Sequence, residues 1–223
     1  MEERYICNIP ALSEEECRAL RARHVAVIGC GGLGGYLIEL MARAGVGAIT
    51  AVDGDVFELS NLNRQLLSEV SLLGINKARA AADRVARINP EVQILAKEVF
   101  LDGENAEELI CGCDAVLDGL DSIPARKILA EACAKAGIPC VYGAVAGWVA
   151  QAGISLPGDG LIETLYPDGD VAARQSVLSF TPALCASLQA ALCVKLLTGR
   201  PVETGTVYHF DLLHQEFEPV SMV

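Results

Sequence analysis

The 223-residue sequence is poor in basic residues, aromatics and histidine, and it contains neither a C-x-x-C pair nor a long uncharged apolar run. Lys and Arg number 17 against 29 Asp and Glu, a net charge of −12, so there is no basic surface to hold a polyphosphate backbone or an anionic membrane. Dedicated nucleic-acid binding is excluded, and only a small local anion site is compatible with this balance. Without a stretch of ~18 uncharged apolar residues, a membrane-spanning helix is not expected. The missing C-x-x-C removes the commonest structural zinc spacing. Cys111-Gly112-Cys113 is the nearest pair and reads as two small thiols beside a strand. Nine cysteines in so long a chain, behind a start Met1-Glu2-Glu3-Arg4 with no secretory pattern, predict free thiols in a reducing cytoplasm rather than a disulfide framework.

What is abundant is apolar: 52% of the residues, which must be spent on an interior or an interface. Ser13–Arg23 reads as a helix with Ser13 as N-cap and Glu16 completing a capping box. His24–Gly29 is a short apolar run of the buried-strand kind, and the glycine cluster after it opens a helix through Leu33, Leu37, Leu40, Met41 and Ala44. Strands then recur at Ala48–Val52, Val92–Val99, Ala115–Asp118 and Ile138–Val145, separated by helices at Gly74–Ile88, Glu104–Ile110 and Pro124–Ala136. Such alternation predicts a parallel sheet. After Gly147 the rhythm changes, with strands at Ala150–Leu156 and Val207–Leu212 around one long helix, Pro182–Leu197, which predicts an antiparallel extension. The expected architecture is one α/β domain over 1–223: a helical lead-in (1–23), a Rossmann-like, mostly parallel sheet with helices on both faces (24–145), and an extension by antiparallel strands with a crossover loop and the dimerisation part (146–223), whose apolar strand-like segments Thr206–Leu213 and Phe217–Val223 are expected in a subunit interface.

Gly29-Cys-Gly31-Gly32-Leu-Gly34 follows a strand and opens a helix, which aims backbone N–H groups and the positive helix end at a phosphate-bearing ligand. Asp53 closes the second strand 19 positions after Gly34, where an acid can hydrogen-bond a ribose hydroxyl. Together these predict a nucleotide. The polar stretch Ser60-Asn61-Leu62-Asn63-Arg64-Gln65, with Lys77 at a helix start, offers two cations and several amides to a polyphosphate. Asp118 and Asp121 sit at the carboxyl end of the fourth strand, where open α/β sheets bind ligands; either can hold Mg²⁺ on phosphates or cap the following helix.

The ordered set Gly29–Gly34, Asp53-Gly-Asp55, Ser60–Gln65, Lys77, Asn89-Pro90, Asp118–Ser122, Gly143 and Ser187-Leu-Gln-Ala190 with Lys195 resembles the ThiF/MoeB/HesA family of ATP-dependent activating enzymes. The resemblance covers nearly the whole chain. It implies a homodimer that uses ATP and Mg²⁺ to adenylate the Gly-Gly carboxylate of a small ubiquitin-like sulfur carrier protein, releasing pyrophosphate. It implies that the loop Gly29, Gly31, Gly32 and Gly34 with Asp53 and Asp55 holds phosphate and ribose, and that Ser60, Asn61, Asn63, Arg64 and Gln65 line the nucleotide. By the same resemblance Arg64 and Lys77 meet the α-phosphate charge, while Asp121, beside Ser122, positions magnesium.

Three positions depart from that family. The two C-x-x-C pairs of its zinc-binding members are absent, so no zinc is expected. The loop Asp168–Gln175 has no cysteine where thioester- or persulfide-forming members carry one, and Cys185 reads as core. Cys7 stands where the family's Arg-Tyr-x-Arg pattern places an arginine that reaches the partner subunit's ATP, with Arg4 nearby. Two alternatives follow: a degenerate relative that binds ATP or a carrier without turnover, and an NAD-dependent oxidoreductase. The latter needs a proton-transfer residue, and none of His24, His209 and His214 sits in a motif.

Overall fold

A computed structural model describes residues 3–167 and 176–222. The chain enters through a 3-10 turn, Glu3–Asn8, and helix α1, Glu14–Arg21. The expected capping box is present: Ser13 Oγ accepts from the Glu16 N–H at 3.1 Å and the Glu16 carboxylate accepts from the Ser13 N–H at 2.7 Å. Then follow β1 (His24–Ile28), α2 (Gly34–Ala44), β2 (Ala48–Val52), α3 (Lys77–Ile88), β3 (Gln93–Lys97), α4 (Ala106–Ile110), β4 (Ala115–Asp118), α5 (Ile123–Ala136) and β5 (Cys140–Ala146). The extension adds β6 (Val149–Ser155), α6 (Leu161–Leu165), α7 (Phe180–Leu197), β7 (Thr206–Asp211) and β8 (Glu216–Ser221).

All eight strands form one sheet in the order β3-β2-β1-β4-β5-β6-β7-β8. The first five are parallel, and β6, β7 and β8 join antiparallel. β1 is central, and helices cover it on both faces, which is why its run carries no polar alternation. Val25 and Val27 pack toward α2, α3 and α7, while Ala26 and Ile28 pack toward α4 and α5.

Several boundaries move for local reasons. The helix expected from Gly74 starts at Lys77, because Gly74 turns with φ +82° and Asn76 caps the helix by accepting from the Ala78 and Arg79 N–H groups. The third strand stops at Lys97, whose carbonyl accepts from the Asp53 N–H, and the chain then leaves the sheet edge. Between β6 and β7 lies a second, five-residue helix, α6, that the sequence pattern missed. The expectation about spanning helices also needs correction: α7 is long and apolar enough by length and composition, as a core helix can be. It lies on the sheet, burying Cys185, Ala186, Gln189 and Cys193.

Candidate nucleotide site

The glycines of the loop divide by what surrounds them. A Cβ on Gly34 would lie 1.7 Å from the Gly29 carbonyl oxygen, and one on Gly29, which has φ +87°, 2.7 Å from that of Gly119. These two are required by close packing between β1, α2 and the end of β4. A Cβ on Gly31 would meet nothing among the described residues nearer than 3.5 Å (Gln65), and one on Gly32 nothing nearer than 3.9 Å (Pro182). The α2 N-terminus has no side-chain cap, so backbone donors and open space coincide there, as an anionic ligand requires.

Asp53 ties β2 to this loop. Its Oδ2 accepts from the Cys30 N–H and its Oδ1 from the Asp55 N–H, both at 2.8 Å. Burial raises its carboxyl above the usual range, against the two N–H groups and the Lys77 ammonium. Each oxygen retains a lone pair for a ribose hydroxyl. Lys77 is buried with its Nζ 2.5 Å from Asp55 Oδ2. Burial raises the Asp55 carboxyl, but the Lys77 hydrogen bond and the Val56 N–H outweigh it and hold the group low. Lys77, expected to be offered to a polyphosphate, is thus paired with Asp55 in this structure.

The polar stretch also divides. Asn61 and Gln65 are buried; the Asn61 side chain accepts from the Glu58 N–H at 3.0 Å, and Gln65 Oε1 is buried beside Gly31 without a partner among the described residues. Ser60 and Asn63 are exposed. Arg64 Nη1 donates to the Ser60 carbonyl at 2.9 Å and to Asn63 Oδ1 at 2.8 Å, while Asn63 Nδ2 donates to the Val177 carbonyl at 3.2 Å. The expected row of nucleotide-facing groups thus becomes an outer set, Ser60, Asn63 and Arg64, on an inner frame of Asn61 and Gln65.

At the end of β4, Asp118 is 2% exposed. Its Oδ2 accepts from Arg126 Nη1 at 3.0 Å and its Oδ1 from the Leu120 N–H at 2.9 Å, so its expected availability to a metal is corrected: both oxygens are engaged and sealed. Burial pushes its carboxyl up, with Arg126 and the Leu120 N–H opposing. The cap of α5 is Ser122, which accepts from the Ala125 N–H at 3.4 Å, and neither aspartate. Asp121 is exposed and makes no hydrogen bond or ion pair among the described residues. Arg126 escaped the sequence reading, and Gln189, quoted there only as part of Ser187-Leu-Gln-Ala190, had no role assigned: its Nε2 donates to the Asp118 and Val141 carbonyls at 2.9 and 3.0 Å. Both act on residues remote in sequence, so no local pattern marks them. A Cβ on Gly143 would lie 2.2 Å from the Gln189 side chain, which accounts for that glycine.

The departures also find positions. Cys185 is buried, donates to the Gln151 carbonyl at 3.1 Å and has its thiol pushed up to about 12 by burial, an inert core thiol. The loop Asp168–Gln175 lies outside the described residues. Arg4 donates to the Asn89 side chain of its own chain, and Asn89, which ends α3, also donates to Tyr5 and to the Ala42 carbonyl. Cys7 is exposed. Among the described residues no group of three or more His, Cys, Asp and Glu could hold a metal. A cleft of about 180 Å³ lined by Ala130, Cys133, Ser155, Asp159 and Glu163 lies toward the far end of α5, away from Asp121.

An open glycine loop on a parallel sheet, an acid closing β2, and an outward arginine and aspartate at the carboxyl edge define a nucleotide-binding α/β domain. The chain belongs to the ThiF family, whose model matches residues 3–222. It is 35% identical over 215 residues to the SAMP-activating enzyme E1 of Haloferax volcanii, covering 93% of this chain and 79% of that protein. It is 32% identical over 228 residues to the sulfur carrier protein adenylyltransferase of Thermus thermophilus, covering 96% and 84%. Against the probable adenylyltransferase/sulfurtransferase MoeZ of Mycobacterium tuberculosis the identity is 34% over 226 residues, but the chain spans only 58% of that protein. A crystal structure of E. coli MccB with succinimide shares the fold at a TM-score of 0.86 and 19% identity, over 100% of this chain and 72% of that one. The oxidoreductase alternative has lost its basis. His24 contacts Thr50, His209 contacts Gln151 in the extension, and His214 pairs with the neighbouring Asp211.

Proposed function

We propose that the protein is an ATP-dependent adenylyltransferase that activates the C-terminal Gly-Gly carboxylate of a small ubiquitin-like sulfur carrier protein, forming an acyl-adenylate and pyrophosphate. The observation that carries this is the Asp121 carboxylate, exposed and unpaired among the described residues, at the sheet edge that also presents Arg64 and the open Gly31-Gly32 backbone. A dinucleotide site needs the loop and Asp53, but not a free acid and an arginine at that edge. The carrier carboxylate attacks the α-phosphorus, and the bond to the departing pyrophosphate breaks. The chain contributes position and charge rather than a covalent step. Gly32 and Asp53 hold phosphate and ribose, Ser60 and Asn63 line the nucleotide, and Arg64 offsets charge at the α-phosphate. Lys77 joins it by exchanging part of its contact with Asp55. Asp121 would hold Mg²⁺, which neutralises the polyphosphate when bound.

We further propose a two-fold homodimer. Val56, Leu59, Leu66, Val70, Leu73 and Ile75 are exposed large apolar side chains within one short segment, next in sequence to the nucleotide-facing residues, which supports a second copy packing there. Nine free thiols support a reducing, cytoplasmic setting. Exchange of labelled pyrophosphate into ATP, stimulated by a carrier ending in Gly-Gly and lost with a truncated tail, tests the activity. One observation favours the non-catalytic alternative: Arg4 is engaged by Asn89 in its own chain, and position 7 holds a cysteine in place of an arginine. Tight ATP binding without any exchange is its signature.

A further inference from the structure

Arg126 is buried at 6% exposure, too deep to meet a nucleotide, and a buried ion pair is a poor way to stabilise a fold. Its contacts suggest another purpose. Nη1 donates to Asp118 Oδ2 at 3.0 Å and to the Gly143 carbonyl at 2.7 Å, and Nη2 donates to the Leu120 carbonyl at 2.5 Å. The guanidinium carbon lies 5.2 Å from the centre of the Tyr142 ring. Contacts to Asp118 and Gly143 would suffice to tie β4 to β5. The third contact reaches a loop carbonyl, and that carbonyl belongs to the peptide unit leading into Asp121. The N–H of the same residue, Leu120, is held by Asp118 Oδ1 at 2.9 Å. Both backbone polar groups of Leu120 are therefore fixed, one by each member of the ion pair. On the other side Ser122 is fixed as the cap of α5. Asp121 stands exposed between two anchored neighbours, with no partner of its own among the described residues.

We infer that Arg126 is a positioning residue: with Asp118 it clamps the Leu120 peptide so that the Asp121 carboxylate is presented at a fixed point to a nucleotide-bound divalent cation. The inference rests on the reading of Asp121 as the acid that holds magnesium. A five-donor fork suits this task, since its two terminal nitrogens reach three acceptors on separate elements, which the single nitrogen of a lysine does not span.

The experiment reads Mn²⁺ binding to the full chain with ATP by electron paramagnetic resonance, beside the half-saturating Mg²⁺ of pyrophosphate exchange. Arg126→Lys should keep a cooperative melt and a metal-free ATP affinity within about twofold, while weakening Mn²⁺ binding and raising the Mg²⁺ requirement about tenfold, as expected for a residue orienting a metal ligand. On an Asp121→Asn background the same change should add little, because the group being positioned has lost its charge. Asp118→Asn, which preserves shape, should show the same split and serves if Arg126→Lys does not fold. Unchanged metal affinity, equal losses of metal-free nucleotide and metal binding, additive effects in the double variant, no Mn²⁺ held by the wild type, or loss of fold in both variants would each overturn the proposal. A wild type that binds Mn²⁺ with ATP but shows no exchange would instead fail the adenylation reading, because the resonance measurement needs only the nucleotide complex.

Discussion

Glycines that look alike in the loop carry different burdens. Gly34→Ala would drive a methyl group to 1.7 Å from a backbone oxygen and should prevent folding, whereas Gly31→Ala has space and should fold. The Gly31 methyl would occupy room that a phosphate needs, so its Kd for ATP should rise by about tenfold or more while its melting temperature stays near wild type. Calorimetric titration and thermal melts of the two variants check this. The loop was legible in the sequence as a fingerprint, but which glycines serve packing depends on how closely the Gly29 carbonyl approaches Gly34 and Gly119 approaches Gly29, which no local pattern encodes. Charge behaves similarly. Lys77→Ala and Arg64→Ala should each lower exchange by about 10²–10³, the scale for one lost transition-state donor. Both should fold, since Asp55 is half-exposed and can rehydrate and, among the described residues, Arg64 bonds only within its own loop. Loss of folded protein in either variant, seen by circular dichroism, would contradict this.

Among the elements, those with strong signals were read correctly: α1 from its capping box and β1 from its apolar run, while α5 was placed at Pro124–Ala136 with its cap sought at the aspartates rather than at Ser122. Two others gave less. Helix α6 has five residues, too few for a periodic pattern, and β8 was legible only as an apolar strand-like segment, Phe217–Val223, since every one of its residues is exposed and burial leaves no alternation to read. A further tie was invisible because it joins the chain's two ends: Arg200, after α7, donates to Glu16 of α1 at 2.5 and 2.9 Å. The Arg200 hydrogen bonds, then the Ser13 N–H, hold the Glu16 carboxyl down at about 2. A depressed carboxyl stabilises the fold above the unfolded glutamate range, and that contribution disappears as pH falls toward about 2. Urea midpoints of wild type and Glu16→Gln should therefore converge across that window. The gap should be small and should shrink with salt, because the pair is solvent-accessible.

At the scale of the molecule, the change of rhythm after Gly147 marked the switch from parallel to antiparallel pairing, since strand direction follows connection length. Asp118, Gly143 and Gln189 were quoted in the sequence as separate positions, but their junction through Arg126 was not legible, because it forms only when β4, α5, β5 and α7 meet. The proposed dimer belongs to this scale. Light scattering at micromolar concentration should give about twice the 23.5 kDa chain mass. Leu59→Glu with Val70→Glu, at two side chains each 73% exposed, should halve that mass without unfolding the chain.

The single sheet has a thermodynamic consequence. Because β5 and β6 pair over seven residues, the nucleotide-binding strands and the extension share a ladder, with no seam along which one could melt before the other. Binding energy gained at the glycine loop should then reach amides that never see the ligand. In native-state hydrogen exchange, saturating ATP should slow the most protected amides of β6 by the same factor as those of β1, the factor by which it lowers the globally unfolded population.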